Sequence, residues 1–271
     1  MKNLIVLALS LTFIVGCANL KMQDRTPAFS PKETTAQKIA PEGNGAHWSY
    51  HGEHGPSHWG DLKEDYAMCK KGTQQSPINL KFRNPASDRT LKFDYRSGPL
   101  RVIDNGHTVQ VNVDPGNSVV INGEKYELLQ FHFHETSEHT ISGKHYPMEL
   151  HFVHKNEKGK LAVVGVMLNE NKDGYPHPEI ANIWKNIPRT QNKEEKIPSV
   201  EINPLRLIPQ RLTHYHYQGS LTTPPCSEGV NWNVLNTPIE VSTTQLSQFR
   251  KYYTHTNRPV QPWYNRSPAN H

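Results

Sequence analysis

The stretch Gln130-Phe131-His132-Phe133-His134 alternates polar and aromatic residues, and it predicts the strand around which the rest of the chain is organised. Successive side chains of a strand point to opposite faces, so His132 and His134 share one face while the two phenylalanines take the other. A second stretch, Glu149 to His154, repeats the pattern and places His151 on one face of a nearby strand. Three imidazoles with a fourth position left open are typical of a catalytic zinc site, whereas a structural site is usually closed by cysteine.

Each ligand segment also carries a polar residue two positions upstream of a histidine. Gln130 lies on the face of His132, and Glu149 lies on the face of His151. Such partners fix the tautomer and the direction of a ligating imidazole. The chain holds 16 histidines, so ordinary core or surface histidines remain an alternative explanation of the same spacing.

Three further histidines lie close enough in sequence to compete as ligands. His154 follows His151 by an odd number of residues, so its side chain should point away from the ligand face. His139 and His145 fall in the connection between the two strands, where Ser142-Gly143 signals a turn. Strand alternation therefore favours the original three histidines.

The composition predicts a globular protein built from many short strands. A chain of 271 residues is long enough for a large core, and its content of 35% hydrophobic and 20% charged residues is ordinary for a globular protein. The 21 prolines, 17 glycines and 11 tyrosines favour short strands and turns over long helices. The formal net charge is only +5, and no basic run is interleaved with aromatic residues, so we expect no binding of nucleic acid.

The N-terminus has the features of a bacterial export signal. Residues 1–16 combine a basic start with an apolar run that is too short to span a membrane, which is typical of a signal peptide. Ile14-Val15-Gly16-Cys17 resembles the lipobox of bacterial lipoproteins, so we expect lipidation of Cys17; an ordinary signal peptide with an incidental cysteine is the alternative. Residues 17–45 lack apolar periodicity and predict a flexible tether. We expect an exported protein of the periplasm or cell envelope that contacts the membrane only through this lipid anchor.

Two cysteines remain once Cys17 carries lipid. Cys69 and Cys226 then form an even pair in an oxidising compartment, and we expect a disulfide between them. Two buried free thiols are the alternative.

Short apolar or alternating runs, separated by Gly, Asn and Pro, predict one mixed α+β domain dominated by an antiparallel or mixed sheet. The expected strands are 75–80, 91–95, 101–103, 109–113, 119–121, 161–168, 221–234 and 239–241, in addition to the two histidine-bearing segments. The expected helices are 62–69, 178–187 and 242–252, the last capped by Ser242. The domain should occupy residues 46–265 and be followed by a short tail, 266–271.

Eight landmarks, in order along the chain, resemble the bacterial α-carbonic anhydrases over about His47 to Pro262. They read HWSYHGEHGPSHW, QSPINL, DNGH, QFHFHETSEHT, ELHFVH, LAVVGVML, GSLTTPPCSEGVNW and NRPVQP. The resemblance implies a single domain with a large central mixed, mostly antiparallel β-sheet, short surface helices and zinc at the base of a conical cleft.

The resemblance also implies roles for individual residues. His132, His134 and His151 match the zinc ligands, and Gln130 and Glu149 match the indirect ligands. Glu138 and Thr222 match the pair that orients zinc-bound hydroxide, and His107 matches the proton shuttle. The apolar wall that holds CO2 is matched by Val153, Val163, Leu221, Val230 and Trp232, with Thr223 close by. Tyr50 and Asn105 match residues that order water in the cleft, and Cys69 and Cys226 match the disulfide of bacterial members. Glu135-Thr136 stands where many animal members have Trp-Gly. By strand alternation Glu135 should face away from the metal, so we expect altered packing there and no loss of chemistry.

The implied function is reversible hydration of CO2 to bicarbonate and a proton by attack of zinc hydroxide, with Zn2+ as the cofactor. A Glu138 carboxylate can only accept hydrogen bonds, so the Thr222 hydroxyl must donate to it. Two alternatives are a non-catalytic carbonic-anhydrase-like surface binding module, which would usually lack a ligand histidine, and a periplasmic zinc-binding protein, which would need no shuttle. Family members are often homodimers, but no interface follows from these residues.

Overall fold

The short runs seen in the sequence fold into strands throughout the part of the chain that the computed structural model describes, residues 47–81, 90–264 and 266. The strands are β1 (Asn79–Leu80), β2 (Leu91–Asp94), β3 (Gly98–Asp104), β4 (Val109–Asn112), β5 (Ser118–Ile121), β6 (Glu124–His134), β7 (Thr140–Ile141), β8 (Met148–Lys155), β9 (Leu161–Asn171), β10 (Glu195–Ile202), β11 (His214–Ser220) and β12 (Glu228–Ser242). The short helices are α1 (Trp59–Leu62), α2 (Met68–Lys71), α3 (Pro178–Lys185) and α4 (Thr243–Phe249).

One ten-stranded sheet organises the domain, and its main path runs β10-β3-β4-β6-β8-β9-β12-β11. Strand β5 also pairs with β6, and β2 pairs with β5. Within this sheet β9 and β12 are parallel, and the other pairs between described strands are antiparallel. The predicted α+β fold with a mixed, mostly antiparallel sheet is confirmed.

The two faces of β6 behave as the alternation predicts. Phe131 and Phe133 are fully buried and pack in the main core on one side of the sheet, together with Phe152 of β8. The central strand β9 is buried along most of its length, which explains its unbroken apolar sequence. The other face of β6 and β8 is thereby left for the histidines.

Helix α4 begins where its sequence predicts. Ser242 caps it in a reciprocal capping box: the Gln245 backbone N–H donates to the Ser242 hydroxyl at 3.2 Å, and the Ser242 N–H donates to the Gln245 side-chain oxygen at 3.1 Å. Helix α3 also lies within its predicted range. Among the described residues, no helix is both long and apolar enough to cross a membrane.

Three predicted elements need correction. The helix expected over 62–69 is interrupted because Lys63 adopts an extended backbone (φ −160°, ψ 158°), and it becomes α1, a 3₁₀ turn and α2. The strand expected over 75–80 shrinks to β1, which pairs only with β7 in a separate parallel sheet. The strand expected over 221–234 starts only at Glu228, because Pro224-Pro225 has no N–H to donate to a ladder. The preceding strand β11 was not anticipated.

Cys69 of α2 and Cys226 of the loop between β11 and β12 are joined by a disulfide with an S–S distance of 2.09 Å, which confirms the predicted pairing. The predicted signal peptide (1–16), the lipidation site Cys17, the tether (17–45) and residues 267–271 of the predicted tail lie outside the described residues.

Candidate metal centre

Strand register brings the three predicted ligand histidines together. Strands β6 and β8 pair antiparallel with His132 directly opposite His151. His134 lies two residues beyond His132 on the same face. One nitrogen from each of the three rings lies within 4.8 Å of the others, which forms a group able to hold a metal ion.

The second nitrogen of each ring is engaged elsewhere. The His132 Nδ1–H donates to Gln130 Oε1 at 2.9 Å, and the His151 Nε2–H donates to Glu149 Oε1 at 2.9 Å. The His134 Nδ1–H donates to the Thr256 carbonyl oxygen at 2.6 Å. These bonds set the tautomers so that Nε2 of His132, Nε2 of His134 and Nδ1 of His151 remain for a shared ligand.

The donor set fits zinc. Nε2 of His134 is buried without a hydrogen-bond partner among the described residues, as expected of an atom whose partner is an ion. Burial holds the pKa of His132 well below its ordinary value, with the neighbouring imidazoles acting in the same direction. Burial also lowers the pKa of His134, against the opposing charge of Glu138. Neutral imidazoles are the form that binds zinc, and three of them leave the open position of a catalytic site.

Glu149 is held by two histidines rather than one. Its Oε1 also accepts from His139 Nδ1 at 2.7 Å, and its Oε2 accepts from the His139 backbone N–H at 2.8 Å. On the far side, His139 Nε2 and the Tyr217 hydroxyl are 2.6 Å apart. Burial alone would raise the pKa of Glu149, but His139 and His151 hold it well below its ordinary value. The partnership of His139 with Glu149 was not predicted, because His139 lies in the irregular connection between β6 and β7, where no periodic pattern indicates its role.

Glu138 lies beside two of these three nitrogens, those of His134 and His151. Its Oε1 accepts from the Arg258 backbone N–H at 2.8 Å. Its Oε2 is buried, 3.6 Å from His134 Nε2 and 3.8 Å from His151 Nδ1, and accepts no hydrogen bond from a described residue. Thr222 is buried in the loop before β12, yet no hydrogen bond from its hydroxyl reaches this oxygen. The Glu138–Thr222 pairing therefore stays a prediction.

The predicted apolar wall adjoins the ligand histidines. Val153, Val163 and Trp232 occupy matched positions across β8, β9 and β12, so their side chains form a row on the face of the metal group. The His151 and Trp232 rings are 4.9 Å apart between centroids. Val163, Val230 and Trp232 are buried in one cluster, against which Val153 and Leu221 pack half-buried. Thr223 is also half-buried, in the loop that carries Leu221 and Thr222.

His107 lies in a tight turn between β3 and β4, held by Asn105. The Asn105 side-chain oxygen accepts from the His107 and Thr108 backbone N–H groups at 3.0 and 2.9 Å. The His107 ring stacks on Trp48, with centroids 3.7 Å apart and planes 9° from parallel. Burial, followed by the nearby His47, lowers the pKa of His107 to about 4.

Tyr50 forms an aromatic group with Trp48 and Trp59, and His107 stacks on the Trp48 ring of this group. Its ring meets those of Trp48 and Trp59 edge to face, at 5.4 and 5.8 Å between centroids. Burial, followed by the charge of Glu138, raises the pKa of Tyr50 well above its ordinary value. Its hydroxyl therefore stays neutral and lies within reach of the charge of Glu138.

Comparison with known proteins gives a consistent result. The sequence-family model of the eukaryotic-type carbonic anhydrases matches residues 54–267. A carbonic anhydrase of Pectobacterium carotovorum is 44% identical over 218 residues, which cover 80% of this chain and 87% of the relative. Two solved structures share the fold, and in each the matched region covers 97% of the solved chain. A hyperthermostable carbonic anhydrase from a hydrothermal vent chimney is 48% identical over 81% of this chain, with a TM-score of 0.76. The α-carbonic anhydrase of Thermovibrio ammonificans is 43% identical over 82%, with a TM-score of 0.77. The chain therefore belongs to the eukaryotic-type, or α-class, carbonic anhydrase family.

Proposed function

We propose that this protein catalyses the reversible hydration of CO2 to bicarbonate and a proton, with Zn2+ held by His132, His134 and His151. The observation that carries the proposal is the convergence of three imidazole nitrogens while the opposite nitrogen of each ring donates to a separate acceptor. Zinc bound in this way supplies a Lewis acid that ionises water near neutral pH, an effect for which carbonic anhydrases are themselves the type case.

Glu138 and Thr222 would orient the reacting water. A carboxylate accepts hydrogen bonds only, and Glu138 Oε1 already accepts from the Arg258 N–H, so Oε2 is the acceptor left for the Thr222 hydroxyl. Once its hydrogen points at Glu138, the Thr222 oxygen can only accept from the water. That arrangement selects which lone pair of the water faces the substrate.

The wall beside His151 would bind CO2. The substrate is apolar and uncharged, so it gains little from polar groups and fits a surface built from Val153, Val163 and Trp232. The same surface offers nothing to the charge of bicarbonate, which favours release of the product.

His107 would carry the proton away from the site. In the stacked position its pKa of about 4 leaves the ring neutral but makes it a weak base at neutral pH. A ring that leaves Trp48 returns towards the ordinary histidine pKa of about 6.5 and can then exchange protons with buffer. We therefore expect the stacked position to be one end of its movement.

One purified sample distinguishes this function from the two alternatives. We expect stoichiometric zinc, CO2 hydration that disappears when a chelator removes the metal, and recovery when Zn2+ is restored. Zinc without CO2 hydration would support a zinc-binding protein. Absence of both would support a binding module that uses the same fold.

A further inference from the structure

Glu135, the residue that departs from the pattern of many animal members, is a buried carboxylate with two partners. Its side chain is 5% exposed. Oε1 accepts from Arg250 Nε at 2.9 Å, and Oε2 accepts from the His255 backbone N–H at 2.9 Å. The side chain thus points away from the ligand group and towards the segment that follows α4.

The Glu135 main chain joins the same segment. Its N–H donates to the Thr256 hydroxyl oxygen at 3.0 Å, and its carbonyl oxygen accepts from the Thr256 N–H at 2.5 Å. His255 has a φ of 53°, in the left-handed region that is unfavourable for a residue other than glycine. A turn of this kind persists when surrounding contacts hold it.

The segment that Glu135 holds, His255–Arg258, serves the metal group at two points. The Thr256 carbonyl oxygen accepts from the ligand His134, and the Arg258 N–H donates to Glu138. These bonds fix the tautomer of one ligand and leave Glu138 Oε2 close to the ligand nitrogens of His134 and His151.

We infer that Glu135 is a positioning residue: its carboxylate clamps the turn His255–Arg258 so that the turn aligns His134 and Glu138 for metal binding. The inference rests on the proposed zinc site. A carboxylate suits the role because both partners are donors, whereas an amide of the same shape would turn its own N–H groups towards one of them.

The chain provides a matched control at Glu179 of α3. That side chain is equally buried, and it accepts from Arg206 Nη1 at 3.0 Å and from the Asn203 backbone N–H at 3.3 Å. Because it has the same kind of partners but none among the residues of the metal group, Glu179→Gln should lower the melting temperature and leave zinc affinity unchanged.

The test is zinc affinity measured by competition with a chromophoric chelator, alongside melting temperatures of the metal-free proteins. We expect Glu135→Gln to weaken zinc binding by about 10–100-fold, the range typical of outer partners of metal ligands. Zinc affinity equal to that of the wild type, or weakened equally by Glu179→Gln, would overturn the inference. A wild-type protein that binds no zinc would instead overturn the proposed function, and the clamp with it.

A second variant decides the case in which Glu135→Gln does not fold. Arg250→Gln keeps the Glu135 carboxylate and its bond to the His255 N–H but removes the ion pair with Arg250. Because the Arg250 side chain is 46% exposed, this substitution should disturb folding less than a change at the buried Glu135. We expect a smaller loss of zinc affinity in the same direction, and an unchanged affinity would count against the clamp.

Discussion

The ligand group (His132, His134 and His151) and the His107 turn hold their histidines by different means. Each ligand ring is fixed by its strand or loop partner through a hydrogen bond of 2.6 to 2.9 Å. The His107 ring is positioned by stacking on Trp48, and no hydrogen bond joins it to the described residues; only its backbone N–H is bound, by Asn105. Hydrogen bonds thus fix the ring direction in the first region, whereas stacking sets it in the second.

This difference matches the chemistry that each region would perform. A metal ligand must keep one tautomer and one direction, so it benefits from a buried acceptor behind it. A proton carrier must change both protonation state and surroundings, so it benefits from a contact that can be released. Variants in the two regions should therefore fail in different ways.

The largest effect is expected when a ligand is removed. His134→Ala should abolish CO2 hydration and reduce zinc content, because it leaves only two protein ligands in a site that needs three. Elemental analysis of the purified variant checks this. A variant that retained stoichiometric zinc would show that His134 does not bind the metal.

The disulfide joins α2 to the loop that carries Thr222, and it packs with the aromatic side chains of Trp48, Tyr50 and Trp59. Replacing Cys69 and Cys226 by Ser should lower the free energy of unfolding by about 2–5 kcal/mol, because the unfolded chain gains freedom when a long loop opens. Denaturant unfolding of both forms measures this. Equal free energies of unfolding for the two forms would show that the disulfide does not stabilise the protein.

Glu149→Ala should act on the ligand group without removing a ligand. It deprives His151 and His139 of their shared acceptor, so zinc affinity should fall by about 10–100-fold. Chelator competition provides the measurement. Affinity and activity both at the wild-type level would exclude Glu149 from this role.

The smallest effect is expected at His107. His107→Ala should lower kcat at low buffer concentration and leave kcat/KM for CO2 nearly unchanged, because proton removal follows the attack on CO2. Added imidazole should restore much of the loss. An equal fall in kcat/KM, or no response to imidazole, would contradict a shuttle at this position.

Trp48→Ala provides the control for that variant. It removes the stacking partner and exposes the ring, so the pKa of His107 should rise from about 4 towards its ordinary value. Titration of the ring by NMR would show the rise, and kcat at low buffer concentration should stay at least as high as in the wild type.

The ligand group could be predicted because its geometry is local. Alternation along β6 and β8 fixes the faces of His132, His134 and His151, and the strand register places His132 opposite His151. The partners Gln130 and Glu149 follow from the same alternation. A sheet-dominated fold followed from the short apolar runs for the same reason.

The remaining contacts could not be predicted because they come from irregular segments far away in the sequence. Thr256 and Arg258 contact His134 and Glu138 from 122 and 120 residues away. No periodic pattern links such positions, and the landmark NRPVQP located Arg258 without indicating which atom it would offer. His139 was considered only as a competing ligand, and its role as a partner of Glu149 could not be predicted because it lies in an irregular connection with no periodic pattern.

The central claim is that strand alternation selects the ligands, and two histidines of β8 test it most directly. His151 points to the ligand group, whereas His154, three residues on, is fully buried on the other face, with its Nε2 2.5 Å from the Tyr95 hydroxyl. The measurement is the zinc content of His151→Gln and His154→Gln, purified in parallel. The account predicts loss of zinc from the first and stoichiometric zinc in the second; retention of zinc by His151→Gln, or its loss from a folded His154→Gln, would contradict it.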